Sequence, residues 1–392
     1  MKKNLAIIIT KLEGGGAERV ASNLSLSLSD EYNVYLLVFD CKEIKYPYMG
    51  ELVDVGIPAS NNSVSRIINV MRRIYRVRRI KRDYNISVSI SLLDTPNIVN
   101  ILSSGKDKVI ISVRNKLSFF IKRPLDKLRI RVLYNKADSI VALSNLVKKD
   151  LSENFKVKNN KIKSIYNSCD VDRITELSEE KVEKKLEELF NTNDVLVTVG
   201  RLEDQKAQWH MIRSFKRVKE NRPNVKLLII GKGSLEAYLR NLTKELSLEE
   251  DVLFLGYVEN PFKYVSKAKI FVFSSVVEGL GNVLLEAMAC GLPVISTDCQ
   301  AGPREIIAPN TPLESKANSA EFHKYGVLVP VCDGIKYNLS ELTREEVVLS
   351  DAILDMLKDK EKLKLYRESS LKRVRDFNPD RIDEEWKNLI NV

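Results

Sequence analysis

Short apolar runs recur along the chain, each followed by a longer stretch with helical spacing. In the first half the runs fall at Leu5–Thr10, Val34–Phe39, Ile86–Ser91, Val109–Val113, Ser139–Leu143 and Lys163–Tyr166. A second series begins at Val195–Val199 and continues with Lys226–Ile230, Val252–Leu255, Ile270–Phe273 and Pro293–Ser296. Such alternation predicts parallel strands covered by helices. Two series predict two doubly wound α/β domains with a joint near Asn167–Ile174, and Glu176–Phe190 is expected as the first helix beyond it. The length of 392 residues agrees, because single cores stop growing at ~250–300 residues. From about Ser350 the pattern is helical, with Asn378-Pro379 marking a break before Ile382–Leu389.

The apolar runs are strand-length, and none approaches the roughly 20 residues of a membrane span. The N-terminal Leu5–Ile9, although preceded by lysines, leads into Gly14-Gly15-Gly16 and is expected to be a first buried strand, not a secretory leader. The five cysteines (Cys41, Cys169, Cys290, Cys299, Cys332) form no C-x-x-C pair. They predict reduced thiols in a cytoplasmic compartment and argue against zinc.

Charge is unevenly spread. Residues 1–173 carry 31 Lys/Arg against 17 Asp/Glu, a net of +14, whereas the remainder carries 32 against 36. The densest run, Ser65–Arg82, holds eight basic residues and no acid. On a wheel at about 100° per residue, Ile67, Ile68, Val70, Met71, Ile74, Tyr75 and Val77 share one half, opposite Arg66, Arg72, Arg73, Arg76 and Arg79. This is either a solvated basic face or an attachment to anionic lipid, each basic residue near such a surface contributing about 1 kcal/mol. A second basic segment, Ile121–Lys136, favours a phosphate-bearing partner. On charge alone nucleic acid also fits.

Ligands of doubly wound sheets collect at the carboxyl ends of strands, so the loops after the runs are the candidates for chemistry. Gly14–Gly16 follows the first strand and opens a helix, where glycine backbone can approach a diphosphate or simply make a tight turn. Gly200-Arg201-Leu202-Glu203-Asp204-Gln205-Lys206 offers two cations on one short loop, as a clamp for a diphosphate or as a surface ion-pair loop. The stretch Glu278-Gly279-Leu280-Gly281-Asn282-Val283-Leu284-Leu285-Glu286 ends a buried strand and starts a helix with almost no polar face. Glu286 is then costly unless satisfied, either by the helix dipole or by two adjacent hydroxyls such as those of a ribose. Glu278 would contact a sugar at the other end of the same ligand.

With these residues in view, the sequence resembles the retaining nucleotide-sugar glycosyltransferases of family 4, which have the GT-B fold. The likeness rests on Gly14–Gly16, on Gly200-Arg201 with Lys206, on the E-x7-E pattern from Glu278 to Glu286, and on Cys290–Ile295 followed by Gly302–Ile307. It implies two Rossmann-like domains facing a central cleft: residues 1–172 for the acceptor, 173–376 for the nucleotide sugar, and a terminal helix, 377–392, returning to the first domain. It also implies that Arg201 and Lys206 bind the donor diphosphate, that Glu278 lies by the donor sugar and that Glu286 holds the ribose. Gly15 and Gly16, and the loop Gly279, Leu280, Gly281, Asn282 and Val283, would contact the substrate, with amides near Gly281 to Val283 on phosphate oxygens. The nucleobase is expected around Tyr257–Pro261.

The chain departs from many relatives in lacking a histidine in the first domain, both His210 and His323 lying in the second half. The equivalent strand end carries Arg114 and Asn115, which resembles an Arg-Asn subset of the family. Arg114 would stabilise leaving-group or donor-sugar oxygens and Asn115 would bond a hydroxyl, but neither is a general base. His210 is expected to be structural. Asp170-Val171-Asp172 resembles the family's linker, not a metal-binding D-x-D, so no obligatory metal or cofactor is expected.

The resulting expectation is a glycosyltransferase moving a hexose or N-acetylhexosamine, UDP-linked, with retention, to a lipid-linked (undecaprenyl-diphosphate) glycan in surface polysaccharide synthesis. It would sit on the inner face of the cell membrane through Arg66–Arg82 and Lys122–Arg131, without nucleic acid as a partner. The alternatives are a GDP-mannose-dependent mannosyltransferase of the same fold, a nucleotide-dependent oxidoreductase and a basic nucleic-acid-binding protein. The oxidoreductase is disfavoured by the absence of G-x-G-x-x-G.

Overall fold

The computed structural model describes residues 2–59, 62–337 and 341–391. Its chain divides into two units, Met1–Asn167 with Asp380–Val392, and Ser168–Pro379. In the first, seven strands run β1 (Lys3–Ile9), β2 (Tyr32–Val38), β3 (Glu51–Asp54), β4 (Val88–Leu92), β5 (Lys108–Val113), β6 (Ser139–Ala142) and β7 (Ile162–Ser164). Their order in the sheet is β3-β2-β1-β4-β5-β6-β7, all parallel. Leu5 to Ile9 and the β4 residues are buried, as strands covered on both faces should be. The chain order reverses between β1 and β4, which makes their carboxyl ends the expected ligand crevice.

The second unit repeats the plan with β8 (Asp194–Val199), β9 (Val225–Ile230), β10 (Val252–Gly256), β11 (Ile270–Phe273), β12 (Val294–Thr297), β13 (Glu321–His323) and β14 (Gly326–Val329). The order is β10-β9-β8-β11-β12-β14-β13, and only the β13–β14 pairing is antiparallel. Here the switch point lies between β8 and β11.

All eleven apolar runs form strands. The three strands the pattern does not predict are short or at an edge: β3 is half-exposed, β13 has no fully buried residue, and β14 is only Gly-Val-Leu-Val. The expected helix over Glu176–Phe190 is two helices, Val171–Ser178 and Lys184–Thr192. The unit boundaries lie at 167/168 and 379/380, against 172/173 and 376/377 from the sequence, because the Cys169 amide donates to the Phe377 carbonyl (2.8 Å), tying both linker ends to the second unit. The last helix, Pro379–Asn391, brings Ile382, Trp386 and Ile390 into the core of the first unit beside Leu5, Ile7 and Leu36.

The basic helix, Ser63–Asp83, buries a different face from the one its pattern predicts. Val77, Arg73 and Lys81 are buried, with Val70 and Ile74 packed beside them. Arg73 donates to the Ile57 carbonyl (2.7 and 2.9 Å) and lies over the Phe39 ring; Lys81 pairs with Asp107 at 2.8 Å. With these two cations satisfied inward, the core arc is rotated by roughly a quarter of the wheel. Val64, Ile67, Ile68, Met71 and Tyr75 are left facing solvent, Tyr75 at 73 % exposure.

Candidate active site

In the second unit the functional side chains are set by three close approaches between strand-end loops. The Gly200 amide donates to the Ile230 carbonyl and the Leu202 amide to the Lys232 carbonyl, drawing the loops after β8 and β9 together. Gly231, at φ +141°, permits this, since a Cβ there would stand 1.9 Å from the Gly200 oxygen. The loop after β8 is laced to the loop after β11: Gln205 Nε2 donates to the Val277 carbonyl (2.9 Å), the Val276 amide to the Gln205 carbonyl (3.0 Å), and Ser274 Oγ to the Lys206 carbonyl (2.8 Å). The loop after β12 then presses on that after β11, where Gly302 (φ +102°) would put a Cβ 1.9 Å from the Leu280 oxygen.

These contacts bring Lys206 and Glu278 together at the switch point. Lys206 Nζ lies 2.6 Å from Glu278 Oε1, the side chains being 16 % and 9 % exposed, and it also stands over the Phe273 ring. The pair is a cation and a carboxylate held at the carboxyl end of the sheet by loops that are themselves tied by backbone hydrogen bonds. Arg201 is exposed and paired with Glu203 at 3.0 Å, the ion-pair arrangement that the loop's composition also allowed. Gly279, Leu280 and Gly281 are buried. Gly281 (φ +89°) caps the helix Asn282–Ala289, so Asn282 and Val283 carry the positive end of its dipole.

That helix is not buried all round. Asn282, Val283, Glu286 and Cys290 are half-buried while Leu284, Leu285, Ala287 and Met288 are buried. Positions four apart lie above one another on a helix, so 282, 286 and 290 form one open ridge on which a carboxylate is affordable. Glu286 adds to the burial that pushes the Cys290 thiol up to about 12. Tyr257 is 70 % exposed in the loop after β10.

Other motifs have local structural work. His210 is fully buried and bonds Glu346 through Nδ1 at 2.7 Å, sharing that carboxylate with Arg213; burial pushes the Glu346 carboxyl up, but the hydrogen bonds from His210, Arg213 and the Thr343 amide together outweigh it and hold the group below its ordinary value. Asp170 caps the helix Val171–Ser178 by accepting from the Arg173 amide (3.0 Å). Among the described residues no group of three His, Cys, Asp or Glu side chains is placed to hold a metal.

In the first unit Gly14, Gly15 and Gly16 are exposed. The amides of Gly14 and Gly15 donate to the Glu18 carboxylate (2.8 and 3.1 Å), closing a capping box on the helix Gly16–Leu28. A diphosphate at Gly15 would compete with that carboxylate. At the switch point is a cavity of about 270 Å³, lined by Thr10 after β1, Leu93 to Pro96 after β4, and Arg114 and Asn115 after β5. Arg114 is 8 % exposed and donates to Ser112 Oγ (3.2 Å) and to Asn167 Oδ1. Both acceptors are uncharged, and burial pulls the guanidinium down to about 9. Thr10, Asp94 and Thr95 are polar residues of this cavity that the sequence reading does not single out. Their signal in the sequence is position, since Asp94 and Thr95 lie two and three residues beyond the end of β4, at a carboxyl end of the sheet.

The pattern of Glycosyltransferase Family 4 matches residues 14–173, and that of Glycosyl transferases group 1 matches residues 179–325. An uncharacterized glycosyltransferase of Methanocaldococcus jannaschii is 36% identical over 84% of this chain and 86% of its own length. The chain is a glycosyltransferase of the GT-B type. A further relative of this glycosyltransferase is the N-acetylgalactosamine-N,N'-diacetylbacillosaminyl-diphospho-undecaprenol 4-alpha-N-acetylgalactosaminyltransferase of Campylobacter jejuni, 29% identical over 97% of both chains. Among solved structures, HepE of Anabaena in complex with UDP and glucose superposes with a TM-score of 0.78 over 99% of both chains at 16% identity, a likeness of fold. No helix of the described residues is long and apolar enough to cross a membrane.

Proposed function

We propose that this glycosyltransferase moves a hexose or N-acetylhexosamine from a UDP-sugar, with retention, to an undecaprenyl-diphosphate-linked glycan at a membrane surface. The observation that carries the donor half is the Lys206–Glu278 pair at the β8/β11 switch point. Lys206, joined by Arg201, neutralises the departing diphosphate, and the helix dipole at Gly281 to Val283 adds to this. Glu286, on its open ridge, takes the two ribose hydroxyls. Glu278 orients the donor sugar and opposes the positive charge that develops at its anomeric carbon. Among these groups none is placed as a base, which favours a front-face substitution. The bond from the anomeric carbon to the phosphate oxygen breaks, the acceptor oxygen bonds to the same face, and the acceptor proton passes to the departing phosphate oxygen. In the first unit Arg114 and Asn115 supply donors to sugar oxygens.

The acceptor half is supported by the name of the Campylobacter relative and by the surface of the first unit. The exposed Ile67, Met71 and Tyr75 stand one turn apart on a helix whose exposed arginines include Arg72, Arg76 and Arg79. On the helix Pro124–Tyr134, Leu125, Leu128 and Val132 are likewise exposed. Apolar side chains between cations suit the boundary between acyl chains and anionic headgroups.

The test of the donor reading is a panel of UDP-galactose, UDP-N-acetylgalactosamine, UDP-glucose, UDP-N-acetylglucosamine and GDP-mannose, followed for slow hydrolysis by the full chain. Turnover of at least one UDP-sugar is expected; turnover of GDP-mannose alone would transfer the assignment to a mannosyltransferase. For the membrane, co-sedimentation with phosphatidylglycerol vesicles should fall at least tenfold when Arg72, Arg76 and Arg79 become Gln, three cations at about 1 kcal/mol each. Unchanged binding would remove the membrane assignment.

A further inference from the structure

In the second unit a buried ion pair that the donor chemistry does not use closes the loop behind Glu278. Arg304, on the short helix Pro303–Ile307, donates from Nε to both oxygens of Asp298 (3.1 Å each) and from Nη2 to Oδ2 (2.5 Å). Each side chain is 3 % exposed. Asp298 directly follows β12, so the pair spans residues 299–303 and ties the loop shut at its base. Both ends of this clasp are anchored. The Asp298 amide donates to the Val329 carbonyl at the end of β14 (2.8 Å), and Oδ2 also accepts the Ala317 amide (2.8 Å). Arg304 Nη1 donates to Thr311 Oγ1 (3.2 Å) and Nη2 to Glu321 Oε2 (3.0 Å), an oxygen that His323 Nε2 meets at 2.9 Å on the same edge strand, β13. Arg373 caps the far end of the short helix, donating to the Glu305 and Ile306 carbonyls (2.8 and 2.9 Å).

The loop held in this way touches the chain on both sides of Glu278. The Gln300 carbonyl accepts the Glu278 amide (3.4 Å), Gln300 pairs with Val277 as an isolated bridge, and Gly302 presses on the Leu280 carbonyl. Its backbone is strained. Ala301, fully buried at φ +70°, precedes Gly302 at φ +102°, and a left-handed alanine persists where its surroundings impose it, most often at functional sites. Stability alone is a weak reason for the pair, since apolar residues of the same volume often serve as well as a buried ion pair. What an arginine fork on a carboxylate supplies is fixed geometry. Here the fixed element is the loop that backs Glu278, whose carboxylate meets Lys206 at 2.6 Å.

We propose that Arg304 is a positioning residue for sugar transfer: clasped to Asp298 and anchored on Glu321, it fixes the loop 299–303 and through it the place of the Glu278 carboxylate, without touching the substrate. The inference rests on the reading of Glu278 as the group that orients the donor sugar, and deepens it. Its chemical consequence is a division of labour. The diphosphate is bound by Arg201, Lys206 and the helix dipole, so a loosened clasp leaves binding in place, whereas a carboxylate that must face a developing charge loses effect with small displacements; a misplacement of ~1 Å from a change far from the chemistry can cost ~10²-fold in rate.

The experiment follows hydrolysis of the radiolabelled UDP-sugar that the full chain turns over, together with UDP affinity by calorimetry, in a double-mutant cycle with Glu278→Gln. Arg304→Lys keeps the charge but not the fork. It should lower kcat about tenfold while KM and the Kd of UDP stay within about threefold, a split on the scale of such misplacements. Glu321→Gln, which removes the outer anchor, should lower kcat about threefold. In the Glu278→Gln background Arg304→Lys should cost less than about twofold more, because the carboxylate it positions is gone. If Arg304→Lys does not fold, Glu321→Gln carried through the same cycle decides. A wild-type kcat in both variants would overturn the proposal. So would UDP affinity that falls in step with kcat, or a loss that persists in full beside Glu278→Gln, either being the mark of a merely structural clasp. Turnover within about threefold in Glu278→Gln alone would sink the reading of Glu278 and this proposal with it, a result read from that single variant and so distinct from failure of the cycle.

Discussion

Because Lys206 is already paired with Glu278, a donor diphosphate must share or displace that carboxylate. At 2.6 Å, an effective dielectric of about 20 gives a gross attraction of roughly 6 kcal/mol. Loss of hydration on both sides reduces the net value to ~1.5–3 kcal/mol for a charge-assisted hydrogen bond. Glu278→Gln keeps the shape and one acceptor oxygen but removes the charge. If half or more of the smaller figure is recovered when diphosphate binds, UDP should bind about fivefold more tightly, ~1 kcal/mol. Turnover should move the other way. Loss of the carboxylate that opposes developing positive charge should lower donor hydrolysis by ~10²–10³, the scale of removing one transition-state-stabilising group. Calorimetric titration with UDP and hydrolysis at saturating UDP-sugar measure the two arms. A variant that binds UDP more weakly would show that Glu278 supports Lys206 instead of competing for it. A variant that retains turnover within threefold would remove Glu278 from the chemistry.

Two further outcomes follow from local geometry. Gly302→Ala places a methyl 1.9 Å from the Leu280 oxygen at φ +102°, so the loop after β11 must shift; thermal melting should show a loss of at least ~2 kcal/mol, accompanied by loss of UDP binding, and a wild-type melt would refute the close approach. Asp383, on the terminal helix, is pushed up to about 6 by burial. A carboxyl raised on folding contributes fully below its unfolded value and loses that contribution as pH rises from about 4 through 6. Asp383→Asn should therefore stabilise the protein by about 1 kcal/mol at pH 8, allowing for partial solvent screening, and by almost nothing at pH 4; equal melting shifts at both pH values would contradict the assignment.

The sequence makes the buried strands legible because residues covered on both faces must be apolar regardless of partner. It does not reveal β3 or β13, whose exposed sides free them from that demand. The donor loops are legible as residue types at strand ends, yet their pairing is not. Nothing in the spacing says that Lys206 meets Glu278 while Arg201 meets Glu203, since that choice depends on which loops the glycines at 231 and 302 allow to touch. Glu286 looked embedded because its neighbours in sequence are apolar, whereas burial follows the ridge 282–286–290 and not adjacency. The basic helix shows the same limit from the other side: Arg73 and Lys81 go inward because Ile57 and Asp107, distant in sequence, are there to receive them. Asp94 escaped notice because a lone acid at a helix start has an ordinary explanation in the dipole; only the cavity distinguishes it.

The terminal helix has a consequence for how the protein is made. Residues 168–379 are contiguous and can fold as they leave the ribosome, but the first unit lacks Ile382, Trp386 and Ile390 from its core until synthesis reaches them. The part synthesised first is thus completed last. During that interval its apolar surface between β1, β2 and the helix Gly16–Leu28 awaits a segment more than three hundred residues away in sequence, a long wait in which such surface is prone to aggregation. A chain cut before residue 380 would therefore keep every residue of the second unit while the core of the first lacked Ile382, Trp386 and Ile390.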